Sequence, residues 1–536
     1  MIGSVGNRLE ELKRRIDVES FKEECMRSDI RLRIGTALAC MLLVLVAASG
    51  ASAATNELKG IEDLFGKDWY GLYLFGGQKV GYAMTELGPT EYGGEKAYKL
   101  TLEQHMQFTM LGMKQELDIA ELRIYGSDGA LQYLHVDAPQ PVGPPVQFLC
   151  EVVNGKFRVS RKTGQQEMTI LIDIPNETLT DELAAAGMIN ENTKVGDSHE
   201  SNIYEPILKM EETLRAKIVV TGMEDTVYNG VPTRVFNVET TILDTGLVAA
   251  SKVAANGELL EERAGPLVMR LEDEALAKDV GYAVDVVVSG AIMTARLIEN
   301  PRRVTKMTVR IDGLTDEELV INDERQSYSL EVPDSQDPTS SETGASEPAR
   351  LYLLTVKKDN LDAVPPATVP MRAERFGSAL KPSVFVQSGD ERIVEQAKSI
   401  VGDEKNAVEA MKKLNRWVYR NLRKEFTASM SNALDTLERK EGDCTEHSVL
   451  FVALARAIGL PAREVGGVVY SEEGGFFFHQ WAEVYVGRWV ATDPTFGQPV
   501  ADATHIKFTG GDILSQSRIM NVMGRLKIEI VDFEHD

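Results

Sequence analysis

From about Trp69 to Arg310 the chain alternates apolar and polar residues in short runs separated by glycine-rich turns, as in WYGLYLF-GG-QKVGYAM and QFLCEVV-NG-KFRVS. A period of two sends successive side chains to opposite faces, so these runs bury their apolar residues as antiparallel strands. Asn154-Gly155, Asn229-Gly230 and Asn256-Gly257 fit tight hairpin turns, because both central residues of such a turn must accept positive φ. One helix is expected near Thr178 to Ala186, and residues 281–295 suit buried strands. At roughly 150 residues per domain, a chain of 536 residues holds about three domains. The alternation defines an antiparallel β-rich domain over 58–300. A small β-domain follows over 301–385, interrupted by a Pro, Ser, Thr and acidic loop at 333–349 that cannot bury enough surface to order itself. From Glu391 the period becomes helical, with Val394, Ala397, Ile400, then Ala407, Met411, Leu414 and Val418 at spacings of three and four. The last domain, 386–536, is therefore mixed, and the fold class expected for the whole is α+β.

Lys and Arg number 58 against 82 Asp and Glu, a net charge of −24. Such a surface repels phosphate backbones, which excludes nucleic acid as a partner. Four cysteines, Cys25, Cys40, Cys150 and Cys444, are too few and too scattered for a disulfide scaffold. Residues 34–48 carry no charge, follow Arg31 and Arg33, and run into Ala51-Ser52-Ala53, the pattern of a secretory signal with cleavage after Ala53. The run is shorter than the roughly 20 residues a spanning helix needs, so the membrane enters only through an uncleaved signal. Residues 1–25 contribute five positive and six negative side chains, whereas 26–33 contribute three and one, so translation is expected to start at Met26. The region 1–53 is thus an export segment, and the mature protein is periplasmic or secreted. Cys150 lies in phase with Phe148 and Val152 and reads as a small buried hydrophobe.

That leaves Cys444. EGDCTEHSVLFVALARAIGLPAR, 441–463, is an apolar helix stopped by Gly459 and Pro461. Asp443 as N-cap and Glu446 three residues on form a capping box, which fixes Cys444 in the first turn beside unpaired backbone N–H groups. The partial positive charge there favours a thiolate. Downstream, FFFHQWAEVYVGRWVATDPTFG supplies His479 and Asp493 on two short strands, so that nucleophile, base and orienting acid follow in that order. Parity tests this. A two-residue turn at Gly487-Arg488 would put His479 and Asp493 on opposite faces, whereas a three-residue loop, Val486 to Arg488, puts Asp493 opposite Trp481 and diagonal to His479. Trp481 would then shield the His–Asp pair from water. His447, one turn after Cys444, is a rival base without a carboxylate at a natural spacing. A metal bound by Cys444, His447, His479 and Asp493 lacks the paired spacings of structural zinc, so no metal or cofactor is expected. Glu446 and Glu483 read as capping or solvated carboxylates. Gln480, Asn432 and Trp417 are candidates for the second oxyanion donor, Asn432 being more simply the cap of a helix over 433–440.

These blocks resemble the transglutaminase-like superfamily over roughly Glu391 to Phe508. The carrying residues are Gly442-Asp443-Cys444, the helix end Arg456 to Arg463, His479-Gln480-Trp481-Ala482-Glu483-Val484, Trp489-Val490 and Asp493-Pro494-Thr495. The resemblance implies a papain-like core with Cys444 as nucleophile, His479 as base and Asp493 as acid, acting on a protein or peptide substrate that carries an amide carbonyl. Hydrolysis of peptide bonds is the first reading, protein cross-linking the second. A non-catalytic envelope binding or scaffold protein is the competing class.

Overall fold

The structure, a computed structural model, describes residues 61–536 apart from 75–76, 111–112, 139–144, 165, 191, 229, 282–288, 332–349, 425–431, 473 and 512–515. The expected export segment and the acidic loop 333–349 lie outside the described residues. The chain is mostly β, with large antiparallel sheets, and its longer helices come after residue 390. Among the described residues no helix is long and apolar enough to cross a membrane.

One sheet runs through fourteen described strands in two meanders. Strands from Gly66–Leu74 to Gln166–Ile172 neighbour one another in chain order, as do those from Ser198–Ile203 to Leu267–Glu272. The two series join where Gly66–Leu74 pairs with Leu267–Glu272, Tyr70 facing Leu271. Asn154-Gly155 makes the expected two-residue turn, with Val153 paired to Lys156 and φ of 51° and 75°. Asn256-Gly257 does not. Of that pair Gly257 alone has positive φ, and the strands stop at Ala254 and resume at Leu259. The Asn256 side chain instead accepts the Glu258 amide at 3.2 Å, which closes a wider loop. Asn229 lies outside the described residues. The helix expected near Thr178 is broken into Leu179–Glu182 and Ala184–Gly187, the first started by a capping box of Thr178 and Asp181. Within 281–295 the described strand is Ile292–Met293, and it joins the sheet of the C-terminal part.

Cys150 is buried in the strand Val146–Val153, and burial pushes its thiol up to about 12, which makes it inert at neutral pH. Beneath the same sheet Arg123 is buried among Glu121, Glu177, Glu182 and Glu205. It donates to both Glu177 oxygens at 2.8 and 3.0 Å and pairs with Glu121. Among the described residues one cation serves these four carboxylates. Burial, reinforced by the neighbouring carboxylates and only partly opposed by Arg123, pushes Glu182 and Glu205 each up to about 8.

A second sheet orders Gln326–Glu331, Leu351–Lys357, Val304–Asp312 and Lys527–His535. The C-terminal strand Lys527–His535, within the stretch assigned to the last domain, thus pairs with a strand of the small β region. The remaining part packs the helices Glu391–Val401, Ala407–Asn421, Ala433–Arg439 and Cys444–Ala457 on a sheet ordered Ile292–Met293, Gly475–Tyr485, Ala462–Ser471 and His505–Gly510. Trp489–Thr492 is hairpinned to Gly475–Tyr485. The Cys444 helix is central: it touches the other three helices and the two longest strands, and every residue from Glu446 to Ala455 is buried. Each buried Leu, Val or Phe is worth about 2 kcal/mol, so this helix is anchored by its flanks before any polar contact is counted.

Candidate active site

Gly442 sets the start of the Cys444 helix. Its φ is +154°, and a Cβ there would meet Glu446 Cβ at 2.3 Å. Asp443 then caps the helix by accepting the Thr445 amide at 2.8 Å, and Glu446 accepts the Asp443 amide at 2.9 Å. Cys444 is the first helical residue, 2% exposed, and its Sγ accepts the Gln480 backbone N–H at 3.3 Å. Sulfur therefore lies at a positive helix end and beside an amide donor. His447 is buried and its Nδ1 donates to the Asp443 carbonyl at 2.6 Å, so the rival imidazole is committed to the cap.

The hairpin has the register that parity demands. Tyr485 pairs with Trp489 and Ala482 with Thr492, leaving a three-residue loop in which Val486 N–H bonds Arg488 O at 2.9 Å. Gly487 permits it with φ +124°, where a Cβ would strike the Pro365 carbonyl oxygen at 2.0 Å. The ladder ends at Thr492, and Asp493, the next residue, forms a bridge with Gln498. Asp493 Oδ2 accepts His479 Nε2 at 2.8 Å, and both side chains are fully buried. Its Oδ1 accepts the amides of Thr495 and Phe496 at 2.7 and 3.0 Å. Burial alone would raise the Asp493 carboxyl. The charge and hydrogen bond of His479, together with those of His505, outweigh it and hold the group well below the usual carboxylate range.

Trp481, 1% exposed, lies nearly parallel to the His479 ring at 6.0 Å, and Phe496 does so at 5.0 Å. Gly467, paired with His479, gives the indole its room: a Cβ there would come within 2.9 Å of Trp481 and 2.0 Å of Ile506 O. Gln480 approaches the sulfur through its backbone, not its side chain. Asn432 caps Ala433–Arg439, accepting two amides at 3.0 Å and donating to Asp435 at 2.8 Å, which uses its amide group. Trp417 packs with the apolar cluster of the helices. Glu446 caps as expected. Glu483 is not solvated: it is buried and pairs with Arg463 at 2.6 Å and Lys507 at 2.7 Å.

Three further residues enter the site without having been read from the sequence. Asn415 donates to Thr492 Oγ1 at 2.9 Å and Gln498 O at 3.1 Å, tying a helix to the Asp493 turn. His505 Nε2 reaches Asp493 Oδ2 at 3.0 Å, and Asp502 lies behind His505. The available signal was D-A-T-H at 502–505, where Asp502 accepts the Thr504 amide at 2.8 Å in a local turn that presents His505 at the strand's start. Among the described residues the ligand-type atoms of His479, Asp493 and His505 lie within 4.8 Å of one another. Both imidazoles converge on one carboxylate oxygen at hydrogen-bond distance.

Residues 394–494 match the model of the transglutaminase-like superfamily, a family of cysteine-dependent enzymes. Among curated proteins none matches the chain. Solved structures with likeness include a candidate cysteine protease from Cytophaga hutchinsonii, 20% identical over 44% of this chain and 86% of that one, with a TM-score of 0.28. A β-barrel-like protein of a domain of unknown function from Brucella abortus is 13% identical over 38% of this chain and 94% of that one, TM-score 0.28. A candidate protease from Parabacteroides distasonis is 11% identical over 58% and 69%, TM-score 0.16.

Proposed function

We propose that this protein is an exported cysteine peptidase or amidase in which Cys444, His479 and Asp493 act as nucleophile, general base and orienting acid in a papain-like α+β domain. The observation that carries the reading is the buried His479–Asp493 bond at 2.8 Å on the residue preceding Gln480, whose amide touches the Cys444 sulfur. With Nε2 bonded to Asp493, the ring nitrogen that exchanges the proton in this reading is Nδ1. The thiolate attacks the amide carbonyl carbon, and the developing oxyanion takes hydrogen bonds from the Cys444 and Gln480 amides. Collapse breaks the C–N bond while imidazolium Nδ1–H protonates the departing amine, leaving a thioester on Sγ. Water then attacks with its proton passing to Nδ1, and the acid leaves as the thiol is restored. Hydrolysis is preferred over cross-linking because water requires no second binding site, whereas an acceptor amine does. Substrates are proteins or peptides, met in the periplasm or outside the cell.

The test is mass spectrometry of envelope proteins incubated with wild type or Cys444→Ala. New chain termini that need Cys444 are expected. Isopeptide links in their place would make the protein a cross-linker, and no Cys444-dependent product would leave the non-catalytic reading.

A further inference from the structure

We propose that His505 is a positioning residue for this reaction: as an imidazolium clamped between Asp502 and Asp493, it fixes the carboxylate that orients His479 and offsets part of its charge. This rests on the cysteine-enzyme reading above. His505 lies outside the stretch matched by the family model, 394–494.

The protonation state follows from what the two ring nitrogens face. Nδ1 points at the Asp502 backbone carbonyl at 3.2 Å, an atom that can only accept, with Asp502 Oδ1 at 3.4 Å. Nε2 points at Asp493 Oδ2 at 3.0 Å, which as a carboxylate also only accepts. A neutral ring would set one nitrogen lone pair against an oxygen lone pair in a fully buried site. The energetics agree: burial lowers the affinity of His505 for its second proton, but the charge of Asp502 and the bonds from both carboxylates more than restore it, and the group sits above its ordinary value. Asp502 is itself held. It forms an ion pair with Arg302 at 3.0 Å and accepts Gln498 Nε2 at 3.0 Å and Thr504 Oγ1 at 2.5 Å.

The result is a row of alternating sign, Arg302, Asp502, His505, Asp493, His479, that reaches from the small β region to the catalytic hairpin. Among the described residues, the titratable groups in contact with His505 are Asp493 and His479 from the hairpin and Asp502 from its own turn; from the small β region, Arg302 pairs with Asp502 and Arg325 donates to the Ala501 carbonyl at 2.9 Å. Further out, Lys507 is neutralised by Glu483 at 2.7 Å and by Asp323. Without His505, Oδ2 of Asp493 loses one of its two imidazole donors and faces His479 with its charge undiluted. The carboxylate becomes freer to turn, and the His479 imidazolium is held more tightly and gives up its proton less readily.

The experiment is the rate of Cys444 alkylation by iodoacetamide against pH in the full chain, for wild type, His505→Ala, His505→Gln and Asp502→Asn, each checked by thermal melting. Gln keeps a donor towards Asp493 without the charge. His505→Ala is expected to slow alkylation at pH 7 by roughly tenfold, with Gln recovering most of the rate. In His505→Gln the alkaline limb of the profile should move up by on the order of one pH unit, and in Asp502→Asn in the same direction by less. A purely packing role for His505 would leave that limb in place. If His505→Ala fails to fold, the other two profiles decide. Folded variants whose profiles superpose on wild type overturn the inference while leaving the enzyme reading intact. A wild-type Cys444 that reacts no faster than a thiol in unfolded protein sinks the reading and this inference with it.

Discussion

Two regions of the molecule bury clusters of carboxylates, and they treat them in opposite ways. Under the large sheet Arg123 is, among the described residues, the cation that faces Glu121, Glu177, Glu182 and Glu205, and Glu182 and Glu205 are pushed up to about 8. Behind Cys444, Asp493 and Asp502 alternate with His479, His505 and Arg302, and both carboxyls are held below the usual range despite equal burial. Burial raises a carboxyl in either place. The sign of the outcome is set by how many cations share the cavity, and a buried anion with its own partner stays an anion ready for use.

The most severe way to break the catalytic half of this comparison is Asp493→Asn, which keeps the shape and removes the charge that fixes the imidazole. Turnover of whichever peptide is cleaved should fall by about 10⁴-fold, read as kcat in a steady-state assay. The structural half breaks with Arg123→Met, which leaves four buried carboxylates without a cation. Urea unfolding should show a loss of about 3–5 kcal/mol, with little change in the rate of Cys444 alkylation in the protein that remains folded.

The pH dependence of stability sharpens the contrast, because the two clusters respond at opposite ends. Unfolded Glu releases its proton near pH 4.3, while Glu182 and Glu205 hold theirs to about 8, so the folded state binds more protons across that window and stability falls as pH rises through it. Asp493 and Asp502 have lowered folded values, so their contribution is present above the ordinary carboxyl range and lost as pH falls below it. Region-resolved hydrogen exchange should therefore show the Arg123 neighbourhood loosening as pH rises from about 5 to about 8 and the Asp493 turn loosening below about pH 4. Glu182→Gln should flatten the loss between about pH 5 and about pH 8. The smallest effect belongs to Asn432→Ser: a cap exchanged for a cap should cost a few tenths of a kcal/mol and leave alkylation of Cys444 unchanged, whereas an oxyanion donor would not be so replaceable.

What could be read from the chain was what depends on neighbours in sequence. The capping box of Asp443 and Glu446 is a four-residue pattern, and the loop at Val486 to Arg488 follows from strand parity once His479 and Asp493 must share a face. The turn at Asn256-Gly257 was misjudged because the same dipeptide serves a tight turn or an Asx-closed loop, and the register of Lys252 to Leu259 decides between them. His505 was out of reach for a different reason: its strand enters the sheet next to Ala462–Ser471, and that order is a tertiary fact. The Arg123 cluster draws its carboxylates from three stretches of the chain, at 121, 177–182 and 205, each looking like an ordinary surface glutamate. The pairing of Lys527–His535 with Val304–Asp312 was likewise invisible, since a last amphipathic strand names no partner.

The seam between the two meanders of the large sheet has a kinetic consequence. Every other ladder in that sheet joins strands that neighbour each other in the chain and can zip up from a turn or short loop, but Trp69 must find Glu272 across some two hundred residues. Closing a loop of that length demands most of its entropy before any contact repays it, so the seam should form late and set the pace of maturation. Until it does, each half presents an open strand edge, and the nascent chain is most in need of a chaperone at that stage.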